Sequence, residues 1–234
     1  MRRRSEPEPF LRPILILTGV ETEARALARA FGLPRLGFSF PAFGHDRARV
    51  AAVGPGAGRL LERLEPLAAG LSSPLLISAG LCGGLDPALS RGDLVVPVSV
   101  LDDKGGRYPI TASLPGRKPH GELLTVAAIV ATPEAKARLH LETGALAVDM
   151  ESAPILAAAR DRGWGAIVVR AVSDDARESL PAELLGVVDA DGRVRLGRAL
   201  AAIAGSGFGR VLALRRAAAT GLAAVAQALR PLLG

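Results

Sequence analysis

Short apolar runs alternate with segments of helical periodicity along most of the chain. The apolar runs are continuous rather than alternating, which is typical of strands buried on both faces of a largely parallel sheet. Ala and Leu at helical spacing follow several of these runs. The pattern predicts a single-domain α/β fold, a three-layer sandwich in which helices cover both faces of a central, mixed, mostly parallel sheet.

The bounds of the predicted elements follow from these runs and from the residues that start or stop helices. Strands are predicted over residues 13–18, 47–53, 74–79, 93–101, 122–132, 145–148 and 167–172, and helices over 21–31, 59–69, 133–140 and 151–162. Pro133 followed by Glu134 is typical of a first helical turn. Two helices rich in Ala, Leu and Arg are predicted after a connection at 181–193. Residues 1–12 are predicted to be a flexible tail, and 13–234 one domain.

Length and composition agree with one α/β domain. The chain has 234 residues, of which 49% are hydrophobic but only 3% aromatic, so its core must consist of Ala, Val, Leu and Ile. The formal net charge is +6. The arginines are scattered and no aromatics interleave with them, which argues against nucleic-acid binding. The single cysteine, Cys82, excludes an internal disulfide and fits a reducing compartment.

The chain shows no pattern of secretion or membrane insertion. The N-terminal segment lacks the apolar core of a signal peptide, and no run approaches the roughly 20 apolar residues of a membrane span. We therefore expect a cytoplasmic protein. The segment 208–233 has Arg on one side and Leu, Val and Ala elsewhere, so it could lie on the inner face of an anionic membrane. Packing on the sheet or on a partner subunit is the alternative.

Acidic residues follow two of the predicted strands. Asp149, Met150 and Glu151 follow the strand at 145–148, and Ser173 and Asp174 follow the strand at 167–172. Open α/β sheets bind ligands at the carboxyl ends of their strands, so these carboxylates are expected to face a substrate rich in hydroxyls and nitrogens. In the plainer interpretation, Asp174 caps a turn and Glu151 is a first-turn glutamate favoured by the helix dipole.

Both acidic segments resemble the purine nucleoside phosphorylase / methylthioadenosine nucleosidase superfamily. Its members typically have a Val-Glu-Met-Glu motif, which residues 148–151 (Val-Asp-Met-Glu) resemble. A second motif contains Val-Arg followed closely by Ser-Asp, and residues 169–174 resemble it. Residues 18–23 resemble the Gly-Ala-Met-x-x-Glu stretch of the nucleosidases. The resemblance implies an enzyme that cleaves an N-glycosidic bond, a nucleoside phosphorylase or a nucleosidase.

The resemblance also implies a role for each acidic residue. Asp174 would donate a proton to purine N7, oriented by Ser173, and such general acid catalysis contributes about 10²–10⁴-fold. Glu151 would accept hydrogen bonds from the ribose 2′- and 3′-hydroxyls, which suits a carboxylate, beside an apolar wall formed by Met150. Glu23 would activate the attacking water; a solvated first-turn glutamate is the alternative.

The chain departs from the family pattern in several places. Asp149 replaces the usual glutamate, which leaves its role open, and Leu81 stands where relatives usually carry a serine in a loop predicted over 80–84. The N–H groups of that glycine-rich turn are expected to bind an anion. Cys82 is interpreted as a small buried residue rather than a nucleophile. Nucleosidases commonly have an aromatic near the base where this chain offers small aliphatics. The glycine-rich segment adds Gly80, Leu81, Cys82 and Gly83 to the candidate substrate-binding residues, and the position of the missing aromatic adds Ile129.

The sequence leaves the nucleophile open between water and phosphate. Glu23 favours hydrolysis. Phosphorylases of the resembled family tend to show Gly-Asp-x-x-Arg in this region, and Arg25 does not have that spacing. The closer resemblance described next leans slightly towards phosphate as a co-substrate.

Within the superfamily, the chain is most similar to a branch associated with hopanoid biosynthesis. The segments that carry this similarity are 83–89, 92–97, 131–136 and 143–152. The branch implies that the substrate is adenosylhopane, a nucleoside with a large lipid group, from which adenine is released. A homo-oligomer is also expected. A methylthioadenosine/S-adenosylhomocysteine-type nucleosidase is the alternative.

Two other classes of function are weaker. The glycine-rich segment 54–58 suggests a dinucleotide-dependent oxidoreductase, but it follows the second strand and lacks the full fingerprint. A basic membrane-surface protein without catalysis is the remote alternative. His45, His120 and His140 form no ligand pattern with carboxylates. No metal and no cofactor are expected, apart from phosphate as a co-substrate.

Overall fold

A computed structural model of the chain describes residues 12–180, 189, 191–192 and 208–233. Residues 1–11 of the predicted tail, and the first of the two predicted C-terminal helices, lie outside the described residues. The described strands are β1 (Ile14–Thr18), β2 (Ala42–Gly44), β3 (Ala48–Ala52), β4 (Leu75–Gly84), β5 (Leu94–Val95), β6 (Ser99–Asp102), β7 (Arg107–Pro109), β8 (Glu122–Thr125), β9 (Ala147–Asp149) and β10 (Ala166–Asp174). The described helices are α1 (Glu21–Ala30), α2 (Leu60–Ala68), α3 (Pro133–Thr143), α4 (Ser152–Asp161) and α5 (Phe208–Leu233).

The ten strands form one mixed sheet. Its main path runs in the order β2-β3-β1-β4-β9-β8-β6-β7, and β10 lies beside β4. β1 is parallel to β3 and β4, and β10 is parallel to β4 from Ala166 to Asp174. β9 meets the far end of β4 antiparallel, at Gly83 and Gly84. The carboxyl ends of β1, β4 and β10 therefore lie at one edge of the sheet, the edge that binds ligands in open α/β folds.

The core has two halves because the central strands are apolar on both faces. Leu15, Ile16 and Leu17 of β1 are each fully buried. Leu15 and Leu17 pack in the cluster that includes α2 and α4, whereas Ile16 packs in the cluster that includes α1 and α5. Strand side chains alternate between faces, so a continuous apolar run supplies both layers. This confirms the predicted three-layer α/β sandwich with a mixed, largely parallel sheet.

The loop predicted over 80–84 is wrong, because β4 continues to Gly84. β10 pairs with β4 through Cys82 and Gly83, and β9 pairs with its last two residues. Gly80 has φ = 150°, a conformation that favours glycine. Pairing on both sides therefore holds a glycine-rich segment in the sheet, against its low strand propensity.

Two predicted strands are too long. The run at 93–101 is divided into β5 and β6 around Pro97, a residue that cannot donate to the ladder. The run at 122–132 ends at Thr125, because its partners β6 and β9 end opposite it at Asp102 and Asp149. The short strands β2 and β7 were not predicted.

Helix α5 packs its apolar side chains on the protein. Val225, Ala226 and Leu229 are buried and belong to the cluster that includes α1 and β10, while Gln227 on the other face is exposed. This is the packing alternative given for the segment 208–233. Within the described ranges, no helix is long and apolar enough to cross a membrane.

Candidate active site

A cleft of about 220 Å³ opens at the carboxyl ends of β4, β9 and β10. One wall carries the carboxylates of Asp149, Glu151 and Asp174. Another wall is aliphatic and includes Val126, Ala128, Ile129, Val130 and Leu180. The two acidic segments of the sequence therefore meet in one cavity, against an apolar surface suited to a flat base.

Arg170 of β10 lies at the centre of the acidic wall. Its side chain is almost fully buried, and Nη2 lies 2.7 Å from Asp149 Oδ2 and 3.6 Å from Glu151 Oε2. Nη2 also donates to Ser78 Oγ at 2.8 Å, and Nη1 donates to the backbone oxygen of Leu81 at 3.3 Å. Burial lowers the pKa of Arg170, but the surrounding carboxylates, Asp149 first, outweigh burial and raise it. The guanidinium is a fixed positive charge that holds this wall together.

Glu23 reaches the same centre from the first turn of α1. Its Oε1 accepts from the backbone N–H of Leu81 at 2.9 Å, and Oε2 accepts from that of Val20 at 3.3 Å. Only 7% of Glu23 is exposed, so the interpretation as a solvated glutamate is wrong. Burial raises the pKa of Glu23, although Arg170 and the backbone donors oppose it. A Cβ at Gly80 would lie 2.8 Å from Glu23 Oε1, which explains glycine there.

Glu151 is the residue that precedes α4, and its carboxylate lies between two glycine-rich turns. Oε1 accepts from the backbone N–H of Gly56 at 3.2 Å, and a Cβ at Gly19 would lie 2.8 Å from the carboxylate. Burial, followed by the charges of Asp149 and Glu23, raises the pKa of Glu151 to about 8, although Arg170 opposes the shift. The segment 54–58, weighed above as a dinucleotide motif, supplies this donor to a carboxylate.

Asp149, whose role the sequence left open, is an internal anchor. Its Oδ1 accepts from Thr125 Oγ1 at 2.6 Å, and Oδ2 accepts from the N–H and the hydroxyl of Ser152 at 3.1 and 2.5 Å. The carboxylate thereby satisfies the first turn of α4 and pairs with Arg170. The side chain joins β8, β9, α4 and β10.

Asp174 lies at the end of β10, where the pairing with β4 shifts register between Val172 and Asp174. Its Oδ1 contacts Ser173 Oγ at 2.5 Å, and its Oδ2 accepts from Lys136 Nζ at 2.6 Å. Asp174 is 4% exposed, and Lys136 of α3 is completely buried. The predicted pair Ser173–Asp174 is thus in place, with an ammonium behind it.

Arg170 and Lys136 were not among the predicted site residues. Arg170 stood inside a segment used for the resemblance, and Lys136 was interpreted only as part of a helix. One signal in the sequence could have singled out Lys136: it is one of three lysines among 29 basic residues, the others being Lys104 and Lys118. Those two are exposed.

Most of the other predicted site residues line the cleft, but Gly80 and Glu23 are not among its described lining residues. Leu81, Cys82, Gly83, Met150 and Ile129 all contribute to its surface. Cys82 is buried, and burial raises the pKa of its thiol far above the ordinary value, which fits the interpretation as a non-nucleophilic residue. The N–H of Leu81, expected to bind an external anion, instead binds the carboxylate of Glu23.

Other sites in the described part of the chain show less chemistry. A larger cavity of about 420 Å³ lies at the opposite end of β10, beside Tyr108, Arg160 and Trp164. No carboxylate lies among its described lining residues. No cluster of three His, Cys, Asp or Glu residues suited to a metal occurs within the described ranges.

Comparison with known proteins assigns the family. The family model described as "Phosphorylase superfamily" matches residues 13–122 and 117–204. The chain belongs to this superfamily. The predictions of superfamily and of an enzyme are therefore confirmed. No curated protein sequence matches the chain significantly.

Several solved structures share the fold. The 5′-methylthioadenosine/S-adenosylhomocysteine nucleosidase from Helicobacter pylori, bound to butyl-thio-DADMe-Immucillin-A, aligns with a TM-score of 0.69 and 18% identity over 95% of this chain and 98% of that chain. Futalosine hydrolase of Helicobacter pylori strain 26695 aligns with a TM-score of 0.68 and 17% identity, over 95% and 97%. The 5′-methylthioadenosine nucleosidase of Arabidopsis thaliana in apo form aligns with a TM-score of 0.66 and 16% identity, over 96% and 97%.

Proposed function

We propose that this protein cleaves the N-glycosidic bond of an adenosyl compound and releases adenine, with water as the nucleophile. The observation that carries the proposal is a cleft lined by Glu151, Asp174 and aliphatic side chains, with Glu23 held next to it by the N–H of Leu81, a residue of the same cleft. Cleavage of this bond requires a proton donor for the base, a clamp for the sugar and a base for the nucleophile. The three carboxylates supply one group for each requirement.

Asp174 can hold and release a proton without leaving Ser173 unsatisfied. The Ser173 hydroxyl has one proton and two acceptors in reach, Asp174 Oδ1 at 2.5 Å and the backbone oxygen of Cys82 at 3.1 Å. When Asp174 is ionised, Ser173 donates to Oδ1. When Asp174 carries a proton on Oδ1, it donates to Ser173 Oγ, and the serine proton turns to Cys82. This arrangement suits a group that gives its proton to N7 of the leaving base.

Glu151 is suited to bind the ribose hydroxyls. Among the described residues, its carboxylate accepts one hydrogen bond, from the N–H of Gly56, and lies 3.6 Å from Arg170 Nη2, which leaves acceptor positions for a vicinal diol. Because burial raises its pKa, the ionised form is unfavourable in the empty site. A sugar that gains positive charge at C1′ would favour that form. The clamp should therefore bind the transition state more strongly than the substrate.

Glu23 is suited to take a proton from water. The raised pKa makes its carboxylate a stronger base than an exposed glutamate, and two backbone N–H groups fix its orientation. In the proposed step, the water oxygen bonds to C1′ and its proton passes to Glu23. The electron pair of the C1′–N9 bond goes to the base as N7 takes the proton of Asp174.

Water is favoured over phosphate because the cations found at these carboxylates are already paired. Arg170 binds Asp149, and Lys136 binds Asp174, both inside the protein. The Leu81 N–H is taken by Glu23. A phosphate dianion placed beside Glu23 would therefore meet carboxylates rather than free donors. This argument opposes the slight preference for phosphate taken from the branch resemblance.

For the substrate, we propose adenosylhopane, on the resemblance of four segments of the sequence to the hopanoid-associated branch. A methylthioadenosine/S-adenosylhomocysteine-type nucleosidase is the second candidate, since the fold is similar to that of the Helicobacter pylori nucleosidase. The cytoplasmic location, the homo-oligomer and a peripheral membrane contact remain proposals based on the sequence.

Release of adenine from a panel of adenosyl compounds tests these proposals. The panel contains adenosylhopane, 5′-methylthioadenosine and S-adenosylhomocysteine, each with and without phosphate. We expect adenine release at a rate independent of phosphate, and a sugar product without phosphate by mass spectrometry. A 1-phosphate product would overturn the assignment of water. No adenine from any adenosyl compound would overturn the proposed function.

A further inference from the structure

We propose that Lys136 is a positioning residue that holds the carboxyl of Asp174 at the base end of the cleft and stabilises the carboxylate left after proton transfer. The inference rests on the proposed function, because it assigns Asp174 the protonation of the base. Lys136 lies in α3, outside the two acidic segments at 148–151 and 169–174.

The contacts of Lys136 saturate its ammonium group. Nζ donates to Asp174 Oδ2 at 2.6 Å, to the backbone oxygen of Asp175 at 2.6 Å and to that of Glu178 at 3.1 Å. An ammonium has three N–H donors and no acceptor, so each proton has one partner. A neutral amine would leave one of these oxygens without its donor. The geometry thus favours a lysine that stays charged and does not itself deliver the proton.

The burial of this charge points to a role beyond packing. Lys136 is completely buried. A buried ion pair is weak support for stability, since an apolar pair of similar volume often serves as well. A chain whose other lysines are exposed nevertheless places one at this position. Its partner, Asp174, is one of the carboxylates that line the cleft together with the aliphatic side chains.

The pair separates the two tasks of Asp174 onto its two oxygens. Lys136 occupies Oδ2, so the proton that moves is confined to Oδ1, on the side of Ser173. When that proton passes to the base, the new negative charge forms in a buried site beside an ammonium already in contact. No solvent has to reorganise around it, which lowers the barrier to transfer. After the base leaves, Glu23 releases to solvent the proton that it took from the attacking water, and Asp174 takes up a proton from solvent.

The same ammonium ties the segment after β10 to the site. By binding the carbonyls of Asp175 and Glu178, Lys136 fixes the turn that follows Asp174. Leu180, two residues further, donates its N–H to the oxygen of Ala131 at 2.8 Å and lines the cleft. The side chain of Lys136 therefore positions both the proposed acid, Asp174, and Leu180, which is part of the aliphatic wall.

The test compares the steady-state kinetics of wild type, Lys136→Met, Asp174→Asn and the double variant on the adenosyl compound that wild type turns over. Lys118→Met, at an exposed lysine, is the matched control. We expect Lys136→Met to lower kcat by about 10–100-fold, part of what general acid catalysis contributes, with KM within about threefold. The double variant should be no slower than Asp174→Asn alone, because Lys136 acts through Asp174. Lys136→Arg, which keeps the charge, should recover part of the loss.

Wild-type kcat in Lys136→Met, or losses that add in the double variant, would overturn the assignment. If Lys136→Met does not fold by circular dichroism, Lys136→Gln replaces it, since it removes the charge but keeps an N–H donor. If neither variant folds, the role of Lys136 is purely structural, and this outcome also overturns the proposal. An inactive wild type refutes the proposed function, whereas an active wild type with an equally active Lys136→Met refutes this inference alone.

Discussion

The carboxylate of Glu23 accepts a hydrogen bond from the backbone N–H of Leu81 at 2.9 Å, so the glycine-rich end of β4 binds an anion of the protein itself. Backbone N–H groups of glycine-rich turns, the structure predicted for this segment, commonly bind phosphate groups of ligands. Here the donor belongs to β4 and the acceptor to the first turn of α1, and no phosphate is needed to satisfy either. The packing of α1 on the sheet thus places Glu23 at a donor that a phosphate would need, and this placement favours water as the nucleophile.

Glu23→Gln should lower kcat by at least about 100-fold, because an amide cannot take a proton from water, while general base assistance contributes about 10²–10⁴-fold. Adenine release followed by absorbance provides the measurement. Glu21→Gln is the matched control, since Glu21 lies in the same turn and pairs with Arg25. Near-normal turnover in Glu23→Gln would assign the proton of water to another group.

Asp174→Asn should lower kcat by at least about 100-fold and raise KM much less, since the amide keeps the shape but cannot supply the proton. Asp175→Asn is the control, because Asp175 is the adjacent carboxylate and its Oδ1 accepts from the backbone N–H of Arg177. Equal kinetics of Asp174→Asn and wild type would show that Asp174 serves only as an ion-pair partner of Lys136.

The sugar clamp predicts losses that do not add. Glu151→Gln should raise KM and lower kcat, because the carboxylate binds the ribose diol both before and during cleavage. A 2′-deoxy analogue should already react slowly with wild type, and the variant should add little to that loss. Kinetics of the two enzymes on the two substrates form a double cycle. Fully additive losses would argue against direct contact between Glu151 and the 2′-hydroxyl.

The fold could be predicted from the sequence because continuous apolar runs specify strands buried on both faces, as β1 and β10 show. The identity of Asp149 did not reveal its role, since only the fold brings it to Arg170. Lys136 was missed for the same reason: 38 residues separate it from Asp174, and α3 joins them only in space. Residues 80–84 form a strand because they pair with β9 and β10. These partners are distant in sequence, so the local sequence does not predict the pairing.

The raised pKa of Glu151 predicts how stability changes with pH. In the folded protein its pKa rises from the ordinary value of 4.5 to about 8, mainly through burial, so the folded state holds this proton over a range where the unfolded state has lost it. Stability from this group is therefore complete below about pH 4.5 and is lost as pH rises towards 8. Glu151→Gln carries no ionisable group there, so the Tm of the variant should fall less than that of wild type between pH 5 and pH 8. Thermal unfolding of both proteins across that range measures the difference, with Glu62→Gln at an exposed carboxylate as the control. Parallel Tm curves for wild type and Glu151→Gln would mean that Arg170 neutralises the carboxylate fully and that the empty site already holds Glu151 ionised.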